Sequence, residues 1–333
     1  MRYRAGVIGC GRIGFEFDKD PNRKYIATHT GAYNYVKDIE LVAVCDIDKK
    51  RLKGCMERWN IPAGYSDLKE MLKRENLDIL SICTLSSTHY PILKEAVKYP
   101  LKAIFCEKPI ADNKKNAEKM LKLCGERKII LQVDHQRRFD PLHMDLREFL
   151  KSKKMGDVQQ VNAYYTAGVK NTGSHMFDLL RCFFGEIDWI EGFFSKNVSR
   201  RKGDPNIDGL MMFTSGVYAS FQACDVNEYL LFELNCFLEK GRVVLRDSGF
   251  NVDFFKTCES KYFSGYKELY KTHHHFKTKY KRRFMVNAVE HLIKCIKHKK
   301  ESTSSGEDGL KALGLIEACI LSARNNGKRI SLH

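Results

Sequence analysis

Three glycines close the first apolar run of the chain: Tyr3 to Ile8 leads straight into Gly9-Cys10-Gly11-Arg12-Ile13-Gly14. A strand that ends in G-x-G-x-x-G turns tightly and brings backbone N–H groups against a ligand, and a side chain at those points would obstruct a pyrophosphate. The motif is common by itself; its position after the first strand gives it meaning. Further unalternating apolar runs follow at Glu40 to Cys45, Leu77 to Cys83, Ala103 to Cys106 and Ile129 to Val133. Segments of helical spacing separate them, at Lys49 to Trp59, Asp67 to Arg74, His89 to Lys98 and Asn113 to Arg127. Strands without polar alternation, divided by helices, predict an α/β fold with a doubly wound parallel sheet covered on both faces.

The pattern changes after Asp134. A basic helix, Pro141 to Lys153, precedes more alternating runs at Val158 to Tyr165, Trp189 to Asn197, Gly209 to Thr214, Val217 to Ala223, Leu230 to Leu238 and Gly241 to Asp247, broken by a helix at His175 to Phe184. These predict a large, mostly antiparallel open sheet with one solvated face. Helices at Phe284 to His298 and Gly306 to Asn325 end the chain. At 333 residues the chain exceeds one hydrophobic core. The reading is a dinucleotide-binding domain over 1–134 and a substrate and oligomerisation domain over 135–333, the last helix, 306–325, packing back toward the first.

Lys and Arg number 57 against 41 Asp and Glu, a formal charge of +16. The basic residues are spread along the chain, mildly enriched from Lys267 to Lys300, without an RRM, helix-turn-helix or zinc-finger pattern. The charge therefore suits an anionic small molecule rather than nucleic acid. Twelve cysteines occur singly, Cys45 and Cys55 being the closest pair, so no CxxC is available for zinc or a redox dithiol. His273-His274-His275 cannot all face one ion and has no carboxylate or cysteine at ligand spacing. No metal is expected. No apolar run reaches the 18 to 20 residues of a membrane span, and Met1 to Gly14 reads as a strand and turn rather than a signal peptide. A cytoplasmic protein with reduced thiols and no membrane partner is expected.

The loop should bind NAD through Gly9, Gly11, Arg12, Ile13 and Gly14. Phe15 to Thr30, with Asp18, Asp20, Pro21 and Asn22, reads as an insertion before the first helix is completed. Asp46 ends the second strand 32 residues beyond Gly14, an interval the insertion lengthens from the usual ~20. Its carboxylate would accept from ribose hydroxyls and repel a 2′-phosphate, which favours NAD, while Lys49, Lys50 and Arg51 leave NADP open. Asp46-Ile47-Asp48 also fits a plain turn with a helix N-cap at Asp48. Thr84, Ser86 and His89 end one strand and begin its helix, where they would line the nicotinamide ribose; Ser86 to Thr88 also fits a helix N-cap.

Seven motifs in order, GCGRIG at 9–14, AVCD at 43–46, TLSSTH at 84–89, EKP at 107–109, RRFDP at 137–141, GSHMFDLL at 173–180 and GEDGLKALGLIEACILSA near the C-terminus, resemble the glucose-fructose oxidoreductase, inositol dehydrogenase and rhizopine catabolism (Gfo/Idh/MocA) family across essentially the whole chain. The resemblance implies a Rossmann domain followed by an α/β domain on a mostly antiparallel sheet, with the active site between them. It also implies oxidation or reduction of a hydroxyl or carbonyl on a sugar, polyol or nucleotide sugar, and homo-oligomers, dimers or tetramers, formed through the open sheet. Glu107 and Lys108 then border the cofactor, and Lys108 donates to a substrate oxygen, a role its place at a strand's C-terminal end also allows.

The family's proton-handling motif is an Asp four residues before a His. Here Asn171 stands at the aspartate position and His175 at the histidine. His175 can take a hydroxyl proton, whereas Asn171 can only orient a neighbour or a substrate hydroxyl by hydrogen bonding. Arg137 and Arg138 follow a buried strand where a guanidinium fork could hold phosphate or carboxylate; Arg138 is assigned to substrate, although one of the pair could serve only Asp140. His135 has no assigned role. Three readings remain: an NAD(P)-dependent dehydrogenase or reductase of a sugar, a relative whose tightly bound NAD serves an internal redox cycle, and a non-catalytic dinucleotide sensor.

Overall fold

A computed structural model describes residues 2–272 and 282–332, and the run His273-His274-His275 lies outside the described residues. Contacts divide the chain into two compact units, Met1–Asp140 with Lys281–Leu313, and Pro141–Tyr280 with Gly314–His333. The helices in chain order are α1 (His29–Tyr35), α2 (Lys49–Trp59), α3 (Leu68–Glu75), α4 (Ser86–Ala96), α5 (Lys114–Arg127), α6 (Pro141–Lys151), α7 (Ser174–Phe184), α8 (Phe284–His298) and α9 (Gly306–Arg324).

In the first unit, β1 (Tyr3–Ile8), β2 (Ile39–Cys45), β3 (Ala63–Tyr65), β4 (Ile79–Ile82), β5 (Ala103–Cys106) and β6 (Ile130–Val133) form a wholly parallel sheet in the order β3-β2-β1-β4-β5-β6. Both faces are covered, so β4 and β5 are buried at every residue. Met71, Leu93, Ala117 and Met120 of α3, α4 and α5 pack on one face. Ala32 and Tyr33 of α1, Cys55 of α2 and Met285, Val289 and Leu292 of α8 pack on the other. Where the sequence suggests one division at 134, the contacts divide at 140 and again at 281 and 313. The cause is α1: at seven residues it is too short to cover its sheet face, and the apolar stripe of α8 completes the cover.

Side chains fix the helix starts. Asp48 accepts from Lys50 and Arg51 N–H, Asp67 from Glu70 and Asn113 from Asn116. The N-cap expected within Ser86 to Thr88 is not formed: α4 begins at Ser86 without a side-chain cap, and the Thr88 hydroxyl turns back to Leu85 O at 2.8 Å and Thr84 Oγ1 at 2.7 Å.

The second unit is built on β7 (Val158–Tyr165), β8 (Ile187–Phe194), β9 (Ile207–Phe213), β10 (Tyr218–Ala223), β11 (Phe232–Leu238), β12 (Gly241–Arg246), β13 (Asn251–Glu259), β14 (Lys267–Thr272) and β15 (Ile330–Ser331). Their order is β14-β13-β12-β11-β7-β10-β9-β8-β15, and only β7 with β10 runs parallel. β11 and β12 bury alternate residues, as one covered face requires. The core on that face joins Leu146 of α6, Phe177 and Leu180 of α7 and Ile316 and Cys319 of α9 to Phe213, Phe221 and Leu234 of the sheet.

Candidate active site

The order of the first sheet reverses between β1 and β4, and such a switch point opens a crevice at the C-terminal ends of the strands. The glycine loop leaves β1 there, and Thr84-Leu85-Ser86 leaves β4. Each glycine has its own reason. Gly9 holds φ at +94°, and a Cβ would lie 2.7 Å from Cys83 O. A Cβ on Gly14 would lie 1.9 Å from Gly9 O, while one on Gly11 would meet nothing within 4 Å among the described residues. Gly9 and Gly14 thus shape the turn, whereas Gly11 leaves bare space of the kind a pyrophosphate needs. Cys10 N–H donates to Asp46 Oδ2 at 2.6 Å and Asp48 N–H to Oδ1 at 2.8 Å, so the carboxylate is fixed between the loop and α2. Asp48 caps α2, so the turn with an N-cap at Asp48 is present. Arg12 is exposed, its guanidinium 4.8 Å from the centre of the Phe17 ring, while Ile13 is half-buried.

The irregular stretch after the loop is an extrusion from a helix. Phe15 N–H donates to Gly11 O and Phe17 N–H to Arg12 O, and then the ladder resumes with His29 N–H on Ile13 O and Thr30 N–H on Gly14 O. His29 reaches sixteen residues back where a helix reaches four, so twelve residues are looped out. Without those twelve, the interval of 32 from Gly14 to Asp46 becomes 20, the usual value of about 20 in dinucleotide folds.

Two apolar side chains beside this crevice were not legible as site residues. Ile47, after β2, is 90% exposed and Leu85, after β4, is 78% exposed. Neither serves a core, and both offer the apolar contact a base ring takes up. An apolar residue directly after a strand-ending aspartate is the signal that points to Ile47. Thr84 and Ser86 lie half-buried at the same strand end, but His89 is buried in α4, its ring nitrogens 3.1 Å from Ile110 O and Thr84 O. His89 therefore fixes the backbone of that turn.

At the end of β5, Glu107 is buried and Lys108 half-buried. Glu107 belongs to a buried network. Tyr33 Oη lies 2.7 Å from Ser81 Oγ, Ser81 Oγ 2.9 Å from His29 Nδ1, and His29 Nε2 3.1 Å from Glu107 Oε1. The Glu107 and Asp134 carboxyls bond each other, and Lys108 N–H donates to Glu107 Oε2 at 3.3 Å. Burial lowers His29 to about 4, which makes its contact with Glu107 a hydrogen bond of a neutral ring rather than an ion pair. Burial raises Glu107; burial and then the charge of Glu107 hold Asp134 well above the carboxylate range. His29, Glu107 and Asp134 offer ligand atoms within 4.8 Å of one another, but an ion would need both carboxyls ionised and would have to displace these direct bonds. The cluster is a buried hydrogen-bonded network. Arg138, expected at substrate, donates to Thr303 O at 2.8 Å and pairs with Asp308 at 3.0 Å, with little of its side chain exposed.

In the second unit, Asn171 and His175 share one continuous turn: a π-helical segment, Val169–Gly173, runs into α7 with His175 in its first turn. Asn171 Nδ2 donates to Thr172 Oγ1 at 3.3 Å. The Asp204 carboxyl lies against the backbone at position 171, accepting from Lys170 N–H at 2.7 Å and Asn171 N–H at 3.0 Å. Gly168, at φ +91°, makes room for it, because a Cβ would come within 2.3 Å of that carboxylate. Burial raises Asp204. Asp204 lies 33 residues from Asn171, too far for any local spacing to announce it. A hollow of about 540 Å³ lined by Asp145, Phe149, Met155 and Lys256 contains none of these residues.

Two family models match the chain. One, an oxidoreductase family with NAD-binding Rossmann fold, covers residues 3–135, and the C-terminal alpha/beta domain of the same family covers 168–332. Among curated proteins, D-apiose dehydrogenase of Paraburkholderia graminis is 26% identical over 99% of this chain and 90% of its own length. Inositol 2-dehydrogenase of Rhizobium meliloti is 26% identical over 97% of both chains. Among solved structures, the WlbA dehydrogenase of Bordetella pertussis in complex with NADH and UDP-GlcNAcA superposes with a TM-score of 0.81 at 21% identity, covering 100% of this chain and 99% of that one. An oxidoreductase of Agrobacterium radiobacter in complex with NAD+, L-tartaric acid and magnesium gives 0.79 at 18% identity, covering 99% and 98%. With an NAD-shaped glycine loop, the 3-2-1-4-5-6 sheet and both domain models in place, the chain belongs to the Gfo/Idh/MocA family of NAD-binding oxidoreductases.

Proposed function

We propose that the protein is an NAD-dependent dehydrogenase or reductase acting on a hydroxyl or carbonyl of an anionic sugar, such as a nucleotide sugar. The observation that carries this reading is the cradle at Gly11, open on the ligand side, with Asp46 tied to the loop through Cys10 N–H. The names of the relatives, which act on apiose and inositol, support the sugar, and the charge of +16 supports an anionic one. NAD supplies the hydride acceptor when bound. Gly9, Gly11, Arg12, Ile13 and Gly14 hold its pyrophosphate, Asp46 its adenosine ribose, and Thr84, Ser86 and Glu107 border it, with His89 acting through the Thr84 carbonyl. Lys108 donates to the substrate oxygen, His175 takes up the hydroxyl proton as hydride leaves carbon, and Asn171 orients the substrate. Arg138 drops out of the binding set, because its fork is already engaged by Thr303 and Asp308. Twelve cysteines that are all free thiols support a reducing, cytoplasmic setting, and no helix among the described residues is long and apolar enough to cross a membrane. Self-association through the solvated face of the second sheet, with Leu210 and Tyr218 exposed, completes the proposal.

Asn171 favours a second reading, in which bound NAD gives no net turnover. Mass spectrometry of the gently purified protein and NADH-linked assays over nucleotide sugars and polyols separate the two. Turnover that falls at least ~100-fold in both Lys108→Ala and His175→Ala is expected. Turnover that persists in both variants refutes their roles, and bound NAD without turnover on any substrate favours the second reading.

A further inference from the structure

The network beneath Lys108 has a direction. A neutral His29 carries one N–H. If Tyr33 donates to Ser81 and Ser81 to His29 Nδ1, the ring proton sits on Nε2 and is given to Glu107 Oε1, and each hydrogen is used once. Glu107 Oε2 receives Lys108 N–H. A carboxyl that accepts on both oxygens is held as the carboxylate. Asp134, 2% exposed, can bond to that carboxylate only by bringing a proton. Among the described residues its Oδ1 has no hydrogen-bond partner, an omission a neutral acid's carbonyl oxygen tolerates better than half of a buried charge does.

We propose that Asp134 carries a proton and donates it to Glu107, so that the buried pair presents a single negative charge to Lys108, and that Asp134 is a positioning residue for this lysine. The inference rests on the reading of Lys108 as the group that meets substrate. The groups facing Asp134 are His29 from α1, Cys83 at the end of β4, Glu107 and Lys108 after β5, and its chain neighbour His135. His29 and Cys83 are neutral by burial, and Lys108 supplies a positive charge that favours the ionised pair. A second ionisation, or the loss of the first, would change the charge beside Lys108 and move its proton affinity by about 1 to 3 pH units.

Two measurements on the full chain test this without requiring turnover. The first compares urea unfolding of wild type and Asp134→Asn between about pH 4 and 8. An unfolded Asp ionises near ~3.9, so a folded Asp134 that keeps its proton makes folding take one up, and folding weakens as pH rises; Asn has no such dependence. The ratio of wild-type to variant folding constants should fall up to about tenfold per pH unit above ~4. A ratio independent of pH overturns the protonated Asp134. The second follows acetylation of Lys108 by acetic anhydride through peptide mass spectrometry. Asp134→Asn keeps a donor to Glu107 and should match wild type. Asp134→Leu lets Glu107 take up a proton and should quicken Lys108 labelling about tenfold at fixed pH. If the Leu variant does not fold, Glu107→Gln removes the same charge and should give the same acceleration. Labelling unchanged in the folded variant overturns the positioning role, whereas failure of every sugar in the NADH assay strikes only the dehydrogenase reading.

Discussion

Replacing His29 with Gln removes a titratable ring from the core of the first unit. The ring is fully buried, lies 4.4 Å centroid to centroid from Phe105, and contacts Ser81 and Glu107 through its two nitrogens. Burial lowers its pKa from 6.5 to about 4. The unfolded chain therefore binds this proton at a higher pH than the folded one, and the stability linked to it is complete above ~6.5 and lost as pH falls through ~4. A gap of roughly 2.5 pH units at about 1.4 kcal/mol each amounts to about 3 kcal/mol. Glu107 and Asp134 move stability the opposite way over part of that interval, so the wild-type curve alone does not isolate the ring. The assay is urea unfolding of wild type and His29→Gln at a series of pH values from ~7.5 to ~4. Gln sacrifices ring packing equally at every pH, so the quantity to read is the change in the difference, which should narrow by about 3 kcal/mol on acidification. A difference that widens instead would mean that His29 is charged in the fold as half of an ion pair with Glu107, and the neutral-ring argument would fail.

Gly14→Ala and Gly11→Ala should part company. The first sets a methyl 1.9 Å from a backbone oxygen and should cost several kcal/mol in a thermal melt, while the second meets nothing, should melt within about 0.5 kcal/mol of wild type, and should weaken NAD binding at least ~10-fold by calorimetry. Deleting Phe17 to Thr28 removes the twelve extruded residues; because the helical ladder already bridges the gap, the variant should stay folded, its stability altered by no more than about 2 kcal/mol, and an unfolded product by circular dichroism would refute the extrusion. Asp204→Asn weakens the hold on two N–H groups and should cost about 1–3 kcal/mol in urea unfolding together with turnover, while Asn171→Asp should raise turnover if the proton relay is its only defect.

Strong, uninterrupted patterns were legible residue by residue. The apolar runs at Tyr3–Ile8 and Ala103–Cys106 and the amphipathic Phe284–His298 have the same bounds in sequence and structure. Short or irregular pieces were not. β3 and β15, at three and two residues, are too brief to show a period, and the β13–β14 hairpin lacks a two-residue turn to announce it. The glycine loop and Asp46 could be read because the backbone dictates their residue types. His29 could not, since the extrusion hides that it follows Gly14 in the same helix, and Asp134 could not, since a carboxyl at a strand end gains its meaning from Glu107 across the sheet. Read from sequence alone, a histidine or arginine does not disclose whether its hydrogen bonds are already spent inside the protein, as those of His89 and Arg138 are.

The return of α8 to the first sheet bears on how the chain is made. When the first 140 residues have left the ribosome, the face carrying Ala5, Val7 and Phe105 still lacks the helix that covers it, and that helix lies roughly 150 residues further along. At about 5–20 residues per second, the nascent unit waits roughly 7 to 30 s with that apolar surface open. A ribosome stalled between the two segments should therefore present a binding site for chaperones that the finished protein does not have.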